Sequence, residues 1–370
     1  MSVWNSKTYI ENLEMVSKTY QPTDLYGKKL LITGASGLIG SAIVDILLYF
    51  NRYKNAGITI YAAGRNEKKL ENRFQGADTD GLVFVKYDAT QKINWNFLTD
   101  YIIHGASNAS PEKYVNEPVD TMLANILGMN NLLEYAKKNP VQKVVYVSSS
   151  EVYGKLNHGR PLQENEYGQV DILSERASYP EGKRAAEALC AAYAKQYGIE
   201  VSIARPGHVY GPTAQETDHR VSSEFARIAA EGKNLVMKSA GTQLRSYCHC
   251  LDCATAILTV LLQGKTKEAY NISNKASVIT IRRMAELIAE SAGVELLMDL
   301  PSEQEKNAFN PMDNSSLDST KLEELGWKGC FDAKCGMEKT IKELCGAASG
   351  KLAVPPYLSC VMYRVTQRLG

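Results

Sequence analysis

The 370-residue chain lacks net charge: 42 lysines and arginines stand against 41 aspartates and glutamates, a balance of +1 with neutral histidines. Without an overall field, nothing draws it to nucleic acid or to an anionic membrane surface, so any anionic ligand must be held by local groups. Long apolar runs are missing, and with them any expectation of a membrane-spanning segment. The N-terminus has no charged-then-apolar stretch of the secretory kind. The eight cysteines form no paired framework, and Cys248-His249-Cys250-Leu251-Asp252-Cys253 has no second ligand pair at finger-like spacing. The expectations are therefore a cytoplasmic protein, no metal, and ordinary buried or half-buried cysteines.

What is present is a strand–helix rhythm. Residues 1–26 place Tyr9, Ile10, Leu13, Val16 and Tyr20 at helical spacing, an appended amphipathic helix that packs on the body or on a sister subunit. Apolar strands are expected at Lys28–Thr33, Ile58–Ala63, Leu82–Lys86, Tyr101–Ser107, Lys143–Ser148 and Ile199–Ala204. Helices are expected between them, at Ser41–Phe50, Val119–Lys138 and from Tyr179 to Gly198. This alternation builds an α/β, Rossmann-type doubly wound parallel sheet, with ligands at the carboxyl ends of its strands. Residues 27–205 are assigned to it, with a returning segment near 240–265. Residues 206–345 change rhythm and read as a smaller mixed substrate lobe, and 346–370 as a C-terminal extension of packing or interfacial character.

Two stretches carry chemistry. The first strand runs into Gly34-Ala35-Ser36-Gly37-Leu38-Ile39-Gly40, where backbone N–H groups and a helix N-terminus can meet a pyrophosphate. Its spacing is G-x-x-G-x-x-G, and glycines also serve plain turns. After the second strand, where an acid usually holds the adenosine ribose, stand Ala63, Gly64 and Arg65. Arg65 either meets a 2′-phosphate, which favours NADP, or is a solvated residue at a helix start. The second stretch is Ser178-Tyr179-Pro180-Glu181-Gly182-Lys183. Ser178 and Glu181 have capping-box form, Pro180 suits a first turn, and Tyr179 and Lys183 share a helical face. A free phenol titrates near ~10. The neighbouring ammonium is expected to bring that value toward the working pH and make Tyr179 a general base for an alcohol or sugar hydroxyl.

The glycine loop, Asp88, Ser148 to Ser150, and Tyr179 with Lys183 occur in an order that resembles the extended short-chain dehydrogenases/reductases, the NAD-dependent epimerase/dehydratase family. The resemblance spans about residues 28–345. It implies NAD as cofactor, bound by Gly34, Gly37, Leu38, Ile39, Gly40, Arg65, Asp88, Ala89, Ala106, Tyr179, Lys183 and Pro206, with NADP left open by Arg65. It implies catalysis by Tyr179, Lys183, Ser149 and Glu151, and substrate contacts from Ser107, Ser150, His208, Arg220 and Arg245. His208 stands where the family usually has an asparagine near the nucleotide phosphates; Arg245 and Arg220 would join it there, or are ordinary surface charges. Within the family, Ser149-Ser150-Glu151, the loop Ala106-Ser107-Asn108-Ala109-Ser110-Pro111 and the run Glu175 to Glu187 are similar to UDP-glucuronate decarboxylases (UDP-xylose synthases). Ser150 occupies the place of the acid that a 4,6-dehydratase uses for elimination, and an epimerase generally has no acid at the place of Glu151. The implied activity is transient oxidation of a UDP-sugar at carbon 4 followed by decarboxylation, in a homodimer. A 4-epimerase or 4,6-dehydratase is the alternative, and a non-catalytic dinucleotide-binding module is the alternative of another class.

Overall fold

The computed structural model describes residues 3–109, 111–156, 159–299 and 314–349. Its first helix, α1 (Lys7–Thr19), buries Tyr9, Leu13 and Val16 on the body of the protein. The buried Asp45 carboxylate fastens it, accepting from Trp4 Nε1 at 2.8 Å, from the Tyr9 hydroxyl at 2.6 Å and from the Arg73 guanidinium. There follow β1 (Lys29–Thr33), α2 (Leu38–Lys54), β2 (Thr59–Gly64), α3 (Glu67–Arg73), β3 (Leu82–Lys86), β4 (Tyr101–His104), α4 (Pro111–Asn116), α5 (Pro118–Lys138), β5 (Lys143–Val147), α6 (Ser178–Tyr197) and β6 (Val201–Pro206). Beyond them lie β7 (His208–Tyr210), α7 (Val221–Ala230), β8 (Leu235–Met237), β9 (Leu244–His249), α8 (Cys250–Gln263) and β10 (Ala269–Ile272). The described chain closes with β11 (Val278–Thr280), α9 (Ile281–Ala292), β12 (Leu296–Met298), β13 (Asn314–Ser315), α10 (Thr320–Glu323) and α11 (Ala333–Ser349).

The doubly wound parallel sheet is present and is one strand wider than the six apolar runs suggest. Its order is β10-β6-β5-β4-β1-β2-β3, with every neighbouring pair parallel. A parallel sheet covered on both faces needs apolar residues at successive positions. Leu30 and Ile32 accordingly join the core under α2 and α8, and Leu31 joins the one under α5 and α6. In a second region β9 pairs parallel with β7 and β13 and antiparallel with β11. Helices α7, α9 and α11 pack beside it around Met284, Ile288, Met337 and Ile341. No helix among the described residues is long and apolar enough to cross a membrane. The C-terminal extension past Ser349 lies outside the described residues.

Candidate active site

The glycine turn follows β1. Gly34 has φ +71°, a conformation that strains other residues, and a Cβ there would lie 2.8 Å from the carbonyl carbon of Gly105. A Cβ on Gly40 would lie 2.3 Å from the Gly34 oxygen, so α2 packs directly on the turn. Gly37 is the N-cap of α2, and no side chain caps the helix. The N–H groups of the first turn, which includes Leu38, Ile39 and Gly40, are left for an anionic ligand, with the helix dipole behind them. Thr33 braces the same place: its Oγ1 accepts from the Ala106 N–H at 3.3 Å and pairs with His104 Nδ1 at 2.7 Å. Past the ends of β2 and β3 come exposed Arg65 and then Asp88 with buried Ala89. The Thr90 N–H and hydroxyl, at 2.9 and 2.8 Å, hold the Asp88 carboxyl below its usual range, with a smaller contribution from Arg65.

Helix α6 does not begin as the capping box requires. A 3-10 turn, Glu175–Ala177, runs straight into it, the N-cap is Ala177, and no side chain caps it. With the backbone already helical at Ser178, its hydroxyl donates instead to the Tyr114 carbonyl at 3.4 Å, and Glu181 pairs with Arg184 at 3.0 Å. Pro180 still falls in the first turn, where an N–H has no intrahelical acceptor.

Tyr179 and Lys183 are both buried one turn apart on α6. The Lys183 ammonium nitrogen donates to the Val147 carbonyl at 2.8 Å and lies 5.7 Å from the centre of the Tyr179 ring. Their electrostatics correct the expectation drawn from proximity. Burial pushes Lys183 down to about 7, opposed by Glu187. Burial pushes Tyr179 up to about 12, offset in part by its hydrogen bond with the Ser149 hydroxyl and by the Arg220 charge. Desolvation is the largest influence on each, because both groups have left water. The free protein thus holds a protonated phenol whose ionisation the Ser149 hydroxyl favours. Next to Ser149, the Ser148 hydroxyl is buried without a partner, as befits a pocket that a ligand completes.

Ser149 also opens the short 3-10 turn Ser150–Tyr153, its Oγ accepting from the Glu151 N–H at 3.2 Å. The Glu151 carboxylate accepts from Arg176 Nη2 at 3.2 Å. Ser107 Oγ donates to Asn125 Oδ1 at 3.0 Å, and Pro206 closes β6. Arg220 is gripped by Asp218, Nε at 2.9 Å and Nη2 at 2.6 Å. Buried Arg245 donates from Nη1 to the Leu244 carbonyl at 2.9 Å. His208 is pushed down to about 3 by burial and then by Arg245 and Arg220, and its Nδ1 is buried without a partner. Arg220 acts electrostatically on both His208 and Tyr179, and Arg245 on His208. One residue escaped the sequence reading: the Tyr114 ring lies parallel to that of Tyr179, centroids 4.5 Å apart at 14°. No spacing announces it; the only signal is an aromatic residue shortly after the Ala106–Pro111 loop. Among the described residues no three histidine, cysteine or acidic side chains gather as a metal-holding group, and none of seven described cysteines is paired.

A glycine turn under an uncapped helix, a buried tyrosine–lysine pair and a serine whose hydroxyl lowers the pKa of that tyrosine are the features of a dinucleotide-dependent enzyme of the short-chain dehydrogenase/reductase class. More narrowly, the chain belongs to the NAD dependent epimerase/dehydratase family, whose sequence model matches residues 30–273. It is similar to UDP-glucuronic acid decarboxylase 3 of Arabidopsis thaliana, 32% identical over 315 residues, covering 84% of this chain and 86% of that protein. UDP-glucuronic acid decarboxylase 1 of Xenopus tropicalis is 29% identical over 346 residues, covering 90% and 77%. Among solved structures, UDP-glucose 4-epimerase from Thermotoga maritima has a TM-score of 0.73 at 23% identity, over 86% of this chain and 99% of its own, which shows a shared fold.

Proposed function

We propose that the protein converts UDP-glucuronate to UDP-xylose and carbon dioxide, with NAD as a resident cofactor. The observation that carries this reading is buried Tyr179 under the influence of the Ser149 hydroxyl, with Glu151 donating its N–H to that hydroxyl and a serine at position 150, in a chain whose relatives include UDP-glucuronic acid decarboxylases. The uncapped N-terminus of α2 fits the pyrophosphate, Asp88 and Ala89 the adenosine, and Lys183 the nicotinamide ribose. Held by these residues, NAD would supply the hydride acceptor and donor for sugar carbon 4.

In the loaded complex the Tyr179 phenol first gives up its proton to solvent, a loss that the positive charge of a bound nicotinamide would favour; the phenolate then takes the proton of the carbon-4 hydroxyl as that carbon is oxidised, and Ser149 holds the oxygen. The resulting ketone is beta to the carboxylate on carbon 5. The bond between carbons 5 and 6 breaks, carbon dioxide leaves, and the electron pair enters the carbonyl as an enolate. Carbon 5 is reprotonated by water that Glu151 positions. Reduction of the ketone then returns the Tyr179 proton to oxygen. Arg220, Arg245 and His208 hold the diphosphate, charged donors suited to phosphate oxygens, with Ser107 and Ser150 lining the sugar side. Exposed Val119, Leu123 and Leu127 recur every fourth residue of α5 and give a second copy an apolar stripe to cover, so the working form is a homodimer. Unpaired thiols suit a reducing cytoplasm.

Incubating the NAD-loaded protein with UDP-glucuronate yields carbon dioxide and a UDP-pentose without added NADH. A product that keeps all carbons with carbon 4 inverted overturns decarboxylation in favour of epimerisation. Mass spectrometry of the copurifying dinucleotide finds NAD; a 2′-phosphate would assign Arg65 to it.

A further inference from the structure

Beside Tyr179 stand two arginines in different states. Arg220 is locked in a fork-to-fork pair with Asp218, which is itself held by the Ser223 hydroxyl at 3.0 Å. Arg176 makes one hydrogen bond, Nη2 to Glu151 at 3.2 Å, and both side chains of that pair are partly exposed. The centre of the Arg176 guanidinium lies 6.0 Å from the Tyr114 ring centre, and that ring stacks on Tyr179. The loosely held cation therefore sits one aromatic ring away from the phenol proposed to act at sugar carbon 4. A uronate bound there brings its own carboxylate, one carbon removed from the reacting carbon, toward a site that already holds Glu151. Two carboxylates at close range repel unless a cation stands between them.

We propose that Arg176 is the specificity residue for the sugar carboxylate: it leaves part of its bond to Glu151 and takes up the carboxylate of a UDP-uronate. This rests on the decarboxylase reading. The looseness of the pair suits the chemistry. The carboxylate loses its charge as carbon dioxide departs, so a tightly fixed partner would stabilise the bound substrate more than the transition state and slow the step. A half-solvated arginine shared with Glu151 gives recognition with little of that penalty, and the planar fork can serve two carboxylates at once.

The test uses the full-length, NAD-loaded protein, with UDP-glucuronate turnover and calorimetric binding of UDP-xylose, which lacks the carboxylate. Arg176→Gln is expected to raise KM for UDP-glucuronate about 10- to 100-fold, the loss of a charge-assisted hydrogen bond, with kcat unchanged or higher and UDP-xylose affinity unchanged. Arg176→Lys keeps the charge and is expected to recover part of the loss. Glu151→Gln frees Arg176, so UDP-glucuronate binds more tightly while turnover falls. Equal weakening of both ligands by Arg176→Gln, or a fall in kcat with KM unchanged, overturns the proposal and leaves Arg176 as a support for Glu151. If the unaltered protein turns over no UDP-uronate, the decarboxylase reading fails instead, and the unaltered protein alone shows it.

Discussion

Successive turns of α6 hold two buried charges of opposite fate. Lys183 faces the cleft with the Val147 carbonyl as its hydrogen-bond partner, and burial has pushed it down to about 7. One turn on, Glu187 receives both Nε and Nη2 of Arg205, at 2.9 and 2.6 Å. Arg205 spends Nη1 on the Tyr153 hydroxyl at 3.1 Å and the Glu164 carbonyl at 2.8 Å, and its pKa is raised rather than lowered. Arg205 and Glu187 line a cavity of about 810 Å³ that also exposes Lys267, Glu268, Lys321 and Glu324, a surface of matched charges. The difference separates structural from functional ionisation. A buried charge whose hydrogen bonds are all made stays charged and fixes the fold; one left short of partners is poised to change with ligand or pH.

The largest effect should come from the cleft. Tyr179→Phe is expected to cut turnover about 10²- to 10⁴-fold, while circular-dichroism melting stays close to that of the parent. On the other side of the contrast, Arg205→Met strands the Glu187 carboxylate and should cost about 3–5 kcal/mol in urea unfolding, with the folded fraction still active. Adding Glu187→Leu should recover most of that loss; if it does not, the pair is more than a satisfied ion pair. The third test uses pH. Below about 7 Lys183 is charged in the folded and unfolded chains alike, and its burial penalty is fully present. Above 7 the folded chain sheds a proton that the unfolded chain keeps until about 10.4, so stability of the cofactor-free protein should rise across that interval. Urea titrations from pH 7 to 10 should show the rise in the parent and lose its Lys183 share in Lys183→Met. The smallest effect is expected from Ser149→Ala, about fivefold in kcat/KM from one hydrogen bond of roughly 1 kcal/mol, with the Tyr179 phenol moving further up in a spectroscopic titration.

Six strands of the main sheet were legible because a doubly covered parallel sheet needs unbroken apolar runs, such as Lys-Leu-Leu-Ile-Thr at β1. The seventh, Ala-Tyr-Asn-Ile at β10, was not, since four residues carry no period and Asn271 reads as a turn residue. Its side chain instead donates to the Leu162 and Asp318 carbonyls. The glycine turn and the tyrosine–lysine spacing were readable because both are local. What the sequence could not show was burial. The cation beside Tyr179 was visible, but not that dehydration is the largest influence on both groups. Nor was the stacking of Tyr114 on Tyr179, which depends on a loop folding back across 65 residues of chain.

The stretch matched to the family begins at residue 30, yet the carboxylate of Asp45, inside α2, takes its Trp4 and Tyr9 hydrogen bonds from before that boundary. Trimming the chain to the stretch matched by the family model would remove the residues that cover this side of α2, the helix whose other end carries the glycine turn. Residues 3–20 thus pack on the helix that leads away from the glycine turn, and the hydrogen bonds that hold that helix begin before the stretch matched to the family.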